Sequence, residues 1–473
     1  MNPGKSIWIG ILCCALALVP TVCRAAEDLV FRISGERATL RAQNVPVRRV
    51  LEQMASEGLR VRIDPSLDFR VSADFADRDL RSAMASILKP ADHVLVWEAV
   101  EGPVGPITRL AEVQVFKAGR KDRIRLLALS TRRIVADPES GGHYVAGELL
   151  IRVKSGATRE VFEKMLERID GRVVDVHPAL GIYRVRVPSE DALLPLVERL
   201  SDDPAMDAVE PNAAYPLIGS RPSGAVPLTA TAPAAWHLSD EPVRIAVLDT
   251  GISAGEEHSA RVVSTFNAVD PEMPATDDLG HGTRMALIAS GEVLPEGIRL
   301  EPNELQPVVV VKAFDESGYI SSFDFARSID FTAAQGARVM NLSWGSGHDS
   351  RFLADALAYA DRLGIVVVAA SGNEPTGEAM YPAAYDTVIG VGALAPDGKP
   401  WESSNFGAHV AIYAPGFAGF DTDGDGMADE RVAGTSVSTA FVSHLVAGMI
   451  STRPETTREQ LLAGLNRLLA PNS

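Results

Sequence analysis

The feature that most constrains the fold is a series of short apolar runs in the second half of the chain. From Ala232 onward, runs of four to six apolar residues alternate with stretches whose apolar residues follow helical spacing. Strands that are apolar on both faces indicate a parallel sheet covered by helices on each side. We therefore predict a doubly wound α/β domain over residues 232–473, with strands at Val243–Leu248, Val308–Val311, Val339–Leu342, Ile365–Ala370 and Val388–Val391 and helices at Met285–Ser290, Phe323–Gln335, Phe352–Leu363, Val437–Ile450 and Thr457–Leu469. Reactive residues in such a domain lie at the carboxyl ends of the strands.

Two small α+β units are predicted before this domain. Residues 27–118 show strands and helices in the order β-α-β-β-α-β, with a first helix that opens at Pro46. Residues 144–213 contain four strand patterns, of which Ile182–Val187 alternates cleanly, and two helical patterns. Neither unit contains a constellation of residues suited to bond chemistry.

Two connecting segments are predicted from composition. Residues 119–143 pass from basic residues to the turn-forming stretch Asp137–Gly142, which indicates a linker. Residues 214–231 are rich in Ala, Pro, Ser and Thr with few charges, which is typical of an extended, accessible tether.

The first 26 residues have the pattern of an export signal. Lys5 supplies positive charge, Ile7–Val19 is too short to span a bilayer comfortably, and small residues favour cleavage after Ala25 or Ala26. An uncleaved membrane anchor and a lipid at Cys23 are the alternatives. All three cysteines lie in this segment, so we expect an exported protein, periplasmic or extracellular, without disulfides.

The overall charge restricts the partners. A net charge of −17 argues against nucleic acid as the main partner and against a general attraction to anionic lipid. Membrane association is expected only through a lipid or through an unknown partner of residues 29–118.

Four polar residues of the large domain stand where a catalytic site would form. Asp249 and Asn373 follow predicted strands, His281 lies between two glycines before a helix, and Ser436 stands at the start of another helix. Each has a structural explanation of its own, since a lone Asp often forms a turn and a Ser often caps a helix. Together they match the order Asp, His, Ser, with an Asn between His and Ser.

These motifs resemble the subtilisin-like serine proteases, the subtilases. The matching segments are Val247–Ile252, Gly280–Thr283, Asn341–Gly345, Ala369–Asn373 and Gly434–Val437. The resemblance covers roughly residues 232–470 and implies a subtilisin-like peptidase domain. The preceding unit is similar to the inhibitory propeptide of the same family in Val145–Val153, Gly181–Val185 and Ala208–Asn212, which implies a ferredoxin-like prodomain over residues 144–213.

The N-terminal unit carries a second resemblance. The element order of residues 27–118 resembles the short N-terminal domain of secretins and TonB-dependent receptors. That resemblance implies an interaction module, and a spacer domain is the alternative.

The subtilase resemblance implies a role for each of the four polar residues. Ser436 would be the nucleophile, His281 its general base, and Asp249 the carboxylate that orients the imidazole. The side-chain amide of Asn373 and the backbone N–H of Ser436 would bind the oxyanion.

The same resemblance implies the substrate-binding residues. Ser343, Trp344 and Gly345 would form an exposed strand that pairs with the substrate backbone. Ser371 and Gly372 would lie in the opposite wall of the first specificity pocket, the pocket for the residue before the cleaved bond. Small residues there predict a pocket open to apolar or large side chains.

The chain also departs from the family pattern at several positions. Ala440 stands where a Pro is usual, Phe441–His444 replaces a His-Val-Ala-Gly sequence, and Arg284 stands three residues after His281 in place of a His. We expect these differences to change packing without removing a catalytic group.

An acidic insertion precedes Ser436. Asp421, Asp423, Asp425 and Asp429 stand at relative positions 1, 3, 5 and 9, which suits a hard cation bound by oxygen atoms, and we predict calcium. The Glu expected at position 12 of an EF-hand is replaced by Val432, so the loop is more similar to the short Asp-rich calcium repeats of extracellular proteins. A solvated acidic turn is the alternative.

The predicted function is that of an exported serine endopeptidase made as a zymogen. Its partners would be protein or peptide substrates and its own propeptide as an intramolecular inhibitor, with maturation between Tyr215 and Thr231. A catalytically silent, protease-like binding or scaffold protein is the alternative.

Overall fold

The computed structural model describes residues 29–127, 132–188, 193–222, 242–258, 260–298, 305–421 and 428–469. The predicted export signal lies outside the described residues. Two small α+β units and one large α/β domain follow each other along the described part, which confirms the predicted fold class. Within these ranges no helix is both long and apolar enough to cross a membrane.

The first unit is built from two small sheets and two helices. Its elements are β1 (Val30–Ser34), β2 (Arg37–Pro46), α1 (Val47–Ser56), β3 (Arg60–Ile63), β4 (Arg70–Asp79), α2 (Leu80–Ile87), β5 (Asp92–Val100), β6 (Ile107–Phe116) and β7 (Arg125–Leu126). The sheets have the orders β1-β2-β4 and β5-β6-β3-β7. Helix α1 begins after Pro46, as expected, and buries Val47, Val50, Leu51 and Met54 on one face.

The predicted linker at residues 119–143 is wrong. Strand β7 pairs with β3 of the first unit, and β8 (Ile134–Ala136) pairs with β9 (His143–Val153) of the second. Both strands are too short to show an alternating pattern, so only pairing with a neighbour defines them. The first unit also contacts the large domain, where Arg60 and Arg62 form ion pairs with Glu272.

The second unit has the ferredoxin-like topology. After β8 it comprises β9 (His143–Val153), α3 (Arg159–Arg168), β10 (Arg172–His177), β11 (Ile182–Arg186), α4 (Leu193–Ser201) and β12 (Met206–Pro216). The antiparallel order is β10-β11-β9-β12. Apolar residues of both helices, among them Phe162 and Leu196, pack on Leu149, Ile151 and Val185 of the sheet.

The start of the predicted tether is not accessible. Strand β12 continues to Pro216 and pairs with β17 (Tyr319–Ser321) of the large domain, so the sheet of the second unit extends across the domain boundary. Tyr215 is fully buried, and its ring centroid lies 5.4 Å from that of Trp344 in a tilted arrangement. Composition misled the prediction because strand pairing and burial depend on the partner surface.

The large domain contains the predicted parallel sheet. Its further elements are β13 (Arg221–Pro222), β14 (Ile245–Asp249), β15 (Val262–Asn267), α5 (His281–Ser290), β16 (Val308–Lys312), α6 (Ser322–Ala334), β18 (Val339–Leu342), α7 (Arg351–Arg362), β19 (Val366–Ala370), β20 (Val388–Leu394), β21 (Ile412–Pro415), β22 (Phe417–Phe420), β23 (Glu430–Ala433), α8 (Thr435–Thr452) and α9 (Arg458–Leu469). In the described part, seven parallel strands have the order β15-β16-β14-β18-β19-β20-β21.

Helices cover both faces of this sheet. Helices α6 and α7 pack on one face through residues such as Phe325 and Leu357, while α5, α8 and α9 pack on the other through Met285, Val442 and Leu465. The central strands are apolar on both faces because both faces are covered. The edge strands β15 and β21 were not predicted, since β15 is only half-buried and β21 spans four residues.

Candidate active site

The four predicted catalytic residues lie at the end of a strand, on a loop or at the start of a helix of the large domain. Asp249 is the last residue of β14, and Asn373 stands three residues after β19. His281 is the first residue of α5, and Ser436 is the second residue of α8. All four are buried.

Asp249 and His281 form a buried hydrogen-bonded pair. The Asp249 Oδ1 atom lies 2.8 Å from His281 Nδ1 and also accepts a hydrogen bond from the Thr250 backbone N–H. His281 Nε2 is buried and has no hydrogen-bond partner among the described residues. The carboxylate therefore fixes the imidazole and leaves Nε2 available to another group.

Two glycines allow this approach between β14 and α5. A Cβ atom on Gly282 would lie 2.5 Å from the Gly251 carbonyl oxygen, and one on Gly251 would lie 2.4 Å from the Ala275 carbonyl oxygen. Such contacts exclude any side chain. The glycine beside His281 is thus explained by close backbone packing, as the sequence suggested.

A buried carboxylate that sequence reasoning missed organises the turn before His281. Asp277 accepts hydrogen bonds from the Thr250 hydroxyl, from the backbone N–H and hydroxyl of Thr283, and from the N–H groups of Leu279 and Gly280. Burial alone would raise the pKa of Asp277, but the hydrogen bonds from Thr283 and Thr250 hold it below its ordinary value. The Asp-Asp-Leu-Gly sequence before His281 was the available signal.

Ser436 does not cap its helix. Gly434 is the N-cap residue, and no side chain caps the first turn of α8. The Ser436 hydroxyl instead donates a 2.8 Å hydrogen bond to the carbonyl oxygen of Ile218, in the segment that joins the second unit to the large domain. The alternative interpretation of Ser436 as a simple cap is therefore wrong.

Asn373 is oriented by Thr435, a second residue that was missed. Its Oδ1 atom accepts hydrogen bonds of 2.9 Å from both the backbone N–H and the hydroxyl of Thr435. Its Nδ2 atom is thereby directed to the segment that joins the second unit to the large domain, where it donates to the Gly219 carbonyl oxygen at 3.0 Å. Thr435 precedes Ser436 directly, so its hydrogen bonds connect Asn373 to the segment that carries Ser436. Asn373 and Ser436 contact the adjacent carbonyls of Gly219 and Ile218.

The segment from Pro216 to Pro222 lies in a cleft that is bordered by Ser343–Gly345 and by Ser436. On one side Leu217 bridges Trp344, the Ile218 N–H donates to the Ser343 carbonyl at 3.2 Å, and the Gly345 N–H donates to the Pro216 carbonyl at 3.4 Å. Ser343 and Trp344 are fully buried, so the expectation of an exposed strand is wrong for this structure. This strand is covered because residues 216–218 pair with it.

Comparisons with known proteins identify the large domain and the unit before it. The subtilase family profile matches residues 240–469. A thermophilic serine proteinase of Bacillus sp. (strain AK1) is 30% identical over 323 residues, which is 66% of this chain and 79% of the relative. The chain belongs to the subtilase family.

Further similarities agree with this assignment. The subtilase's residues 130–212 match the fervidolysin N-terminal prodomain profile, and an alkaline protease of Alkalihalobacillus alcalophilus is 30% identical over 62% of this chain and 76% of its own. In fold it is similar to fervidolysin of Fervidobacterium pennivorans, a keratinolytic enzyme related to subtilisin, with a TM-score of 0.55, 20% identity, and coverage of 71% of this chain and 59% of that one. This subtilase is a serine endopeptidase with a prodomain.

Met380 lies between the two segments predicted to form the walls of the first specificity pocket. Cβ atoms placed on Gly372 and Gly345 would lie 3.0 Å from Met380 Cε and 3.2 Å from Met380 Cγ, so the Met380 side chain fills the space between the two walls. Ser371 is fully buried, and its carbonyl accepts from the Asn405 amide. Met380 was missed because it lies seven residues beyond the Asn373 motif.

The prodomain is anchored to the subtilase domain by buried ion pairs. Arg132 pairs with Asp324, which is fully buried in the first turn of α6, and Arg184 lies 4.0 Å from the same carboxylate. Burial would raise the pKa of Asp324, but the charge of Arg132 holds it below its ordinary value. Glu210 accepts hydrogen bonds from the Ser350 hydroxyl and the Arg351 N–H at the start of α7.

The acidic loop connects the two strands of a hairpin. Strands β22 and β23 pair up to Phe420 and Glu430, which places Asp421 and Asp429 at the two ends of the loop. Asp423 and Asp425 lie outside the described residues. The described residues alone contain no group of three or more potential metal ligands.

The departures from the family pattern affect packing. His444 is buried on α8, and its Nδ1 atom lies 3.1 Å from the Ala289 carbonyl of α5. Burial lowers the pKa of His444 to about 4, so the ring is neutral at physiological pH. It therefore joins the two helices without carrying charge.

Proposed function

We propose that Ser436, His281 and Asp249 form the catalytic triad of this endopeptidase, with Asn373 as an oxyanion donor. The observation that carries the proposal is the position of Ser436 Oγ, 2.8 Å from a backbone carbonyl held in the cleft. The hydrogen-bonded Asp249–His281 pair supplies a base oriented by a carboxylate.

The geometry supports acyl transfer in two stages. Ser436 Oγ attacks the carbonyl carbon before the scissile bond, and its proton passes to His281 Nε2. Asp249 holds the ring and stabilises the imidazolium, while the Asn373 amide and the Ser436 N–H donate to the developing oxyanion. The imidazolium then protonates the leaving amine, and water releases the acyl group by the same route in reverse.

We further propose that the prodomain inhibits the enzyme because its C-terminal segment binds in the cleft like a substrate. We place the maturation cut between Ile218 and Gly219. Backbone pairing with Ser343 and Gly345 ends at Ile218, whose carbonyl is the one that Ser436 contacts. The Asn373 amide contacts the next carbonyl, that of Gly219. Attack therefore requires the Ser436 hydroxyl to turn toward His281 and the Ile218 carbonyl to turn toward Asn373.

Self-processing tests this proposal. The Ser436→Ala precursor should stay full length, while the wild type should yield a mature chain that begins at Gly219. Ser438→Ala is the matched control, since Ser438 is buried on the same helix but bonds to Ala414. A fluorophosphonate probe should label the wild type and the control. Processing of Ser436→Ala, or absence of label on folded wild type, would refute the catalytic assignment.

Three further proposals concern the rest of the chain. The N-terminal signal pattern supports export to the periplasm or beyond, and the small α+β unit at residues 27–118 is proposed as an interaction module. We also propose that Asp421, Asp423, Asp425 and Asp429 bind calcium, whose role would be to order the hairpin. The described ends of that loop fit this proposal, because a hairpin closed at Phe420 and Glu430 gathers acidic residues over a short connection.

A further inference from the structure

We propose that the cleft contains a subsite that selects a basic residue, preferably arginine, at the third position after the cleaved bond. The proposal rests on the proposed function, since it takes Ile218–Gly219 as the bond that Ser436 attacks. Arg221 then occupies the third position on the leaving-group side. It extends the substrate class from peptides in general to peptides with a cation at this position.

The backbone of the leaving-group side is held in a fixed register. Arg221 and Pro222 form β13, which pairs antiparallel with Ala433 and Val432 of β23. Ser220 passes over Gly434, where a Cβ atom would lie 3.5 Å from the Ser220 Cα. Because main-chain pairing fixes the register, a substrate of any sequence would place its third side chain where Arg221 stands.

The guanidinium group of Arg221 contacts two acceptors on two different loops. Its Nη2 atom donates to the Asn373 carbonyl oxygen at 3.0 Å, and its Nη1 atom lies 3.4 Å from Ser403 Oγ. The planar fork of arginine spans both acceptors, whereas a lysine ammonium is a single point charge. Asn373 thus contacts the leaving-group side twice, through its side-chain amide at Gly219 and through its backbone carbonyl at Arg221.

The charge around this subsite favours a cation. Glu374 and Glu402 are exposed, and each is the chain neighbour of one of the two acceptors. The loops at residues 371–379 and 401–407 contain no lysine or arginine. On the facing strand, Glu430 pairs with Arg284, and Arg431 lies 3.6 Å from Glu296. An acidic side chain at the third position would face the Asn373 carbonyl oxygen without a hydrogen to donate to it.

The test uses mature enzyme and a set of quenched peptides spanning Pro216–Pro222 that differ only at the position of Arg221. The peptide with arginine should be cleaved with a kcat/KM roughly five- to twentyfold above that with alanine, as expected for a charge-assisted hydrogen bond. Lysine should fall between them and glutamate below alanine. In the Ser403→Ala enzyme, kcat/KM for the arginine peptide should exceed that for the alanine peptide by a smaller factor, because one of the two acceptors is lost.

A second arm uses the full precursor. Arg221→Ala should slow cleavage of the prodomain by a similar factor, and Arg221→Lys should restore part of the rate. Equal kcat/KM for the arginine, alanine and glutamate peptides, with an enzyme that fluorophosphonate labels fully, would overturn the subsite and leave the proposed function intact. An enzyme that neither cleaves any peptide nor takes the label would overturn both.

Discussion

Arg284 and Glu430 join the helix that begins at His281 to the strand that leads into Ser436. The Arg284 Nη1 atom lies 3.1 Å from Glu430 Oε1 and 3.2 Å from Glu430 Oε2, and the pair is partly exposed. Arg284 is one of the residues that departs from the family pattern. In this chain an ion pair therefore connects the elements that carry the base and the nucleophile.

Arg284→Ala should lower the free energy of unfolding by about 0.5–1 kcal/mol, since the pair is partly exposed and solvent screens it. Glu430→Gln should have a similar effect, and the double variant should be no less stable than either single one. Chemical denaturation of the three variants in the Ser436→Ala background measures this coupling. Strictly additive losses would show that the two side chains do not stabilise each other.

Asn373→Ala should reduce kcat by roughly 10²–10³ with little change in KM, because the amide stabilises charge that exists only in the transition state. Thr435→Val should cause a smaller loss of kcat, since the amide remains but loses one of the hydrogen bonds that orient it. Steady-state kinetics on one peptide substrate compares the two variants. A loss confined to KM in Asn373→Ala would contradict an oxyanion role.

Met380→Ala should enlarge the first specificity pocket. The kcat/KM for peptides with phenylalanine before the cleaved bond should rise about tenfold relative to alanine peptides, because the thioether no longer fills the space between Gly345 and Gly372. Met273→Ala, at an exposed methionine, is the control and should keep the wild-type ratio. An unchanged ratio in Met380→Ala would show that Met380 does not limit the pocket.

Arg132→Ala should destabilise the precursor by roughly 3 kcal/mol, because it removes a direct partner of a buried carboxylate. The folded-state pKa of Asp324 is depressed. Its contribution to the free energy of unfolding is therefore fully present above the unfolded pKa of about 3.9 and is lost as pH falls through the folded pKa. In Arg132→Ala that pKa rises, and the loss should begin at a higher pH.

Thermal unfolding of the Ser436→Ala precursor across pH 3–7 measures this effect. Lys164→Ala is the control, since Lys164 belongs to an exposed helix pair with Glu160 and should leave the pH profile unchanged. Identical profiles of Tm against pH for Arg132→Ala and the parent would show that the Arg132–Asp324 ion pair does not anchor the prodomain.

Calcium is first supplied at a free concentration well above its Kd. Its removal by a chelator should then lower the Tm of the mature enzyme by roughly 5–10 °C and reduce its activity. Asp425→Asn should lower the Tm in calcium and make it insensitive to the chelator. Asp397→Asn, at an exposed carboxylate elsewhere, should behave like the wild type. A chelator that changes neither Tm nor activity would leave the acidic loop as a solvated turn.

Much of the architecture was predictable because burial on both faces leaves a strong pattern. The central strands β14, β16, β18, β19 and β20 fall at the predicted positions, as does the amphipathic helix α1. The half-buried edge strand β15 and the short strands β7 and β8 were missed, since their identity depends on pairing with distant residues. The tether prediction was wrong at Tyr215 for the same reason, because a buried position is created by Trp344 and not by local sequence.

The sequence alone determined the order Asp249, His281, Asn373, Ser436 and the glycines beside them, because close backbone approach and nucleophilic chemistry require specific residue types at specific places. Tertiary structure decided what each group faces. It brought the Ile218 carbonyl to Ser436, turned the Asn373 amide through Thr435, and filled the pocket with Met380. These contacts join residues far apart in the chain, so only the packing of the folded domains could define them.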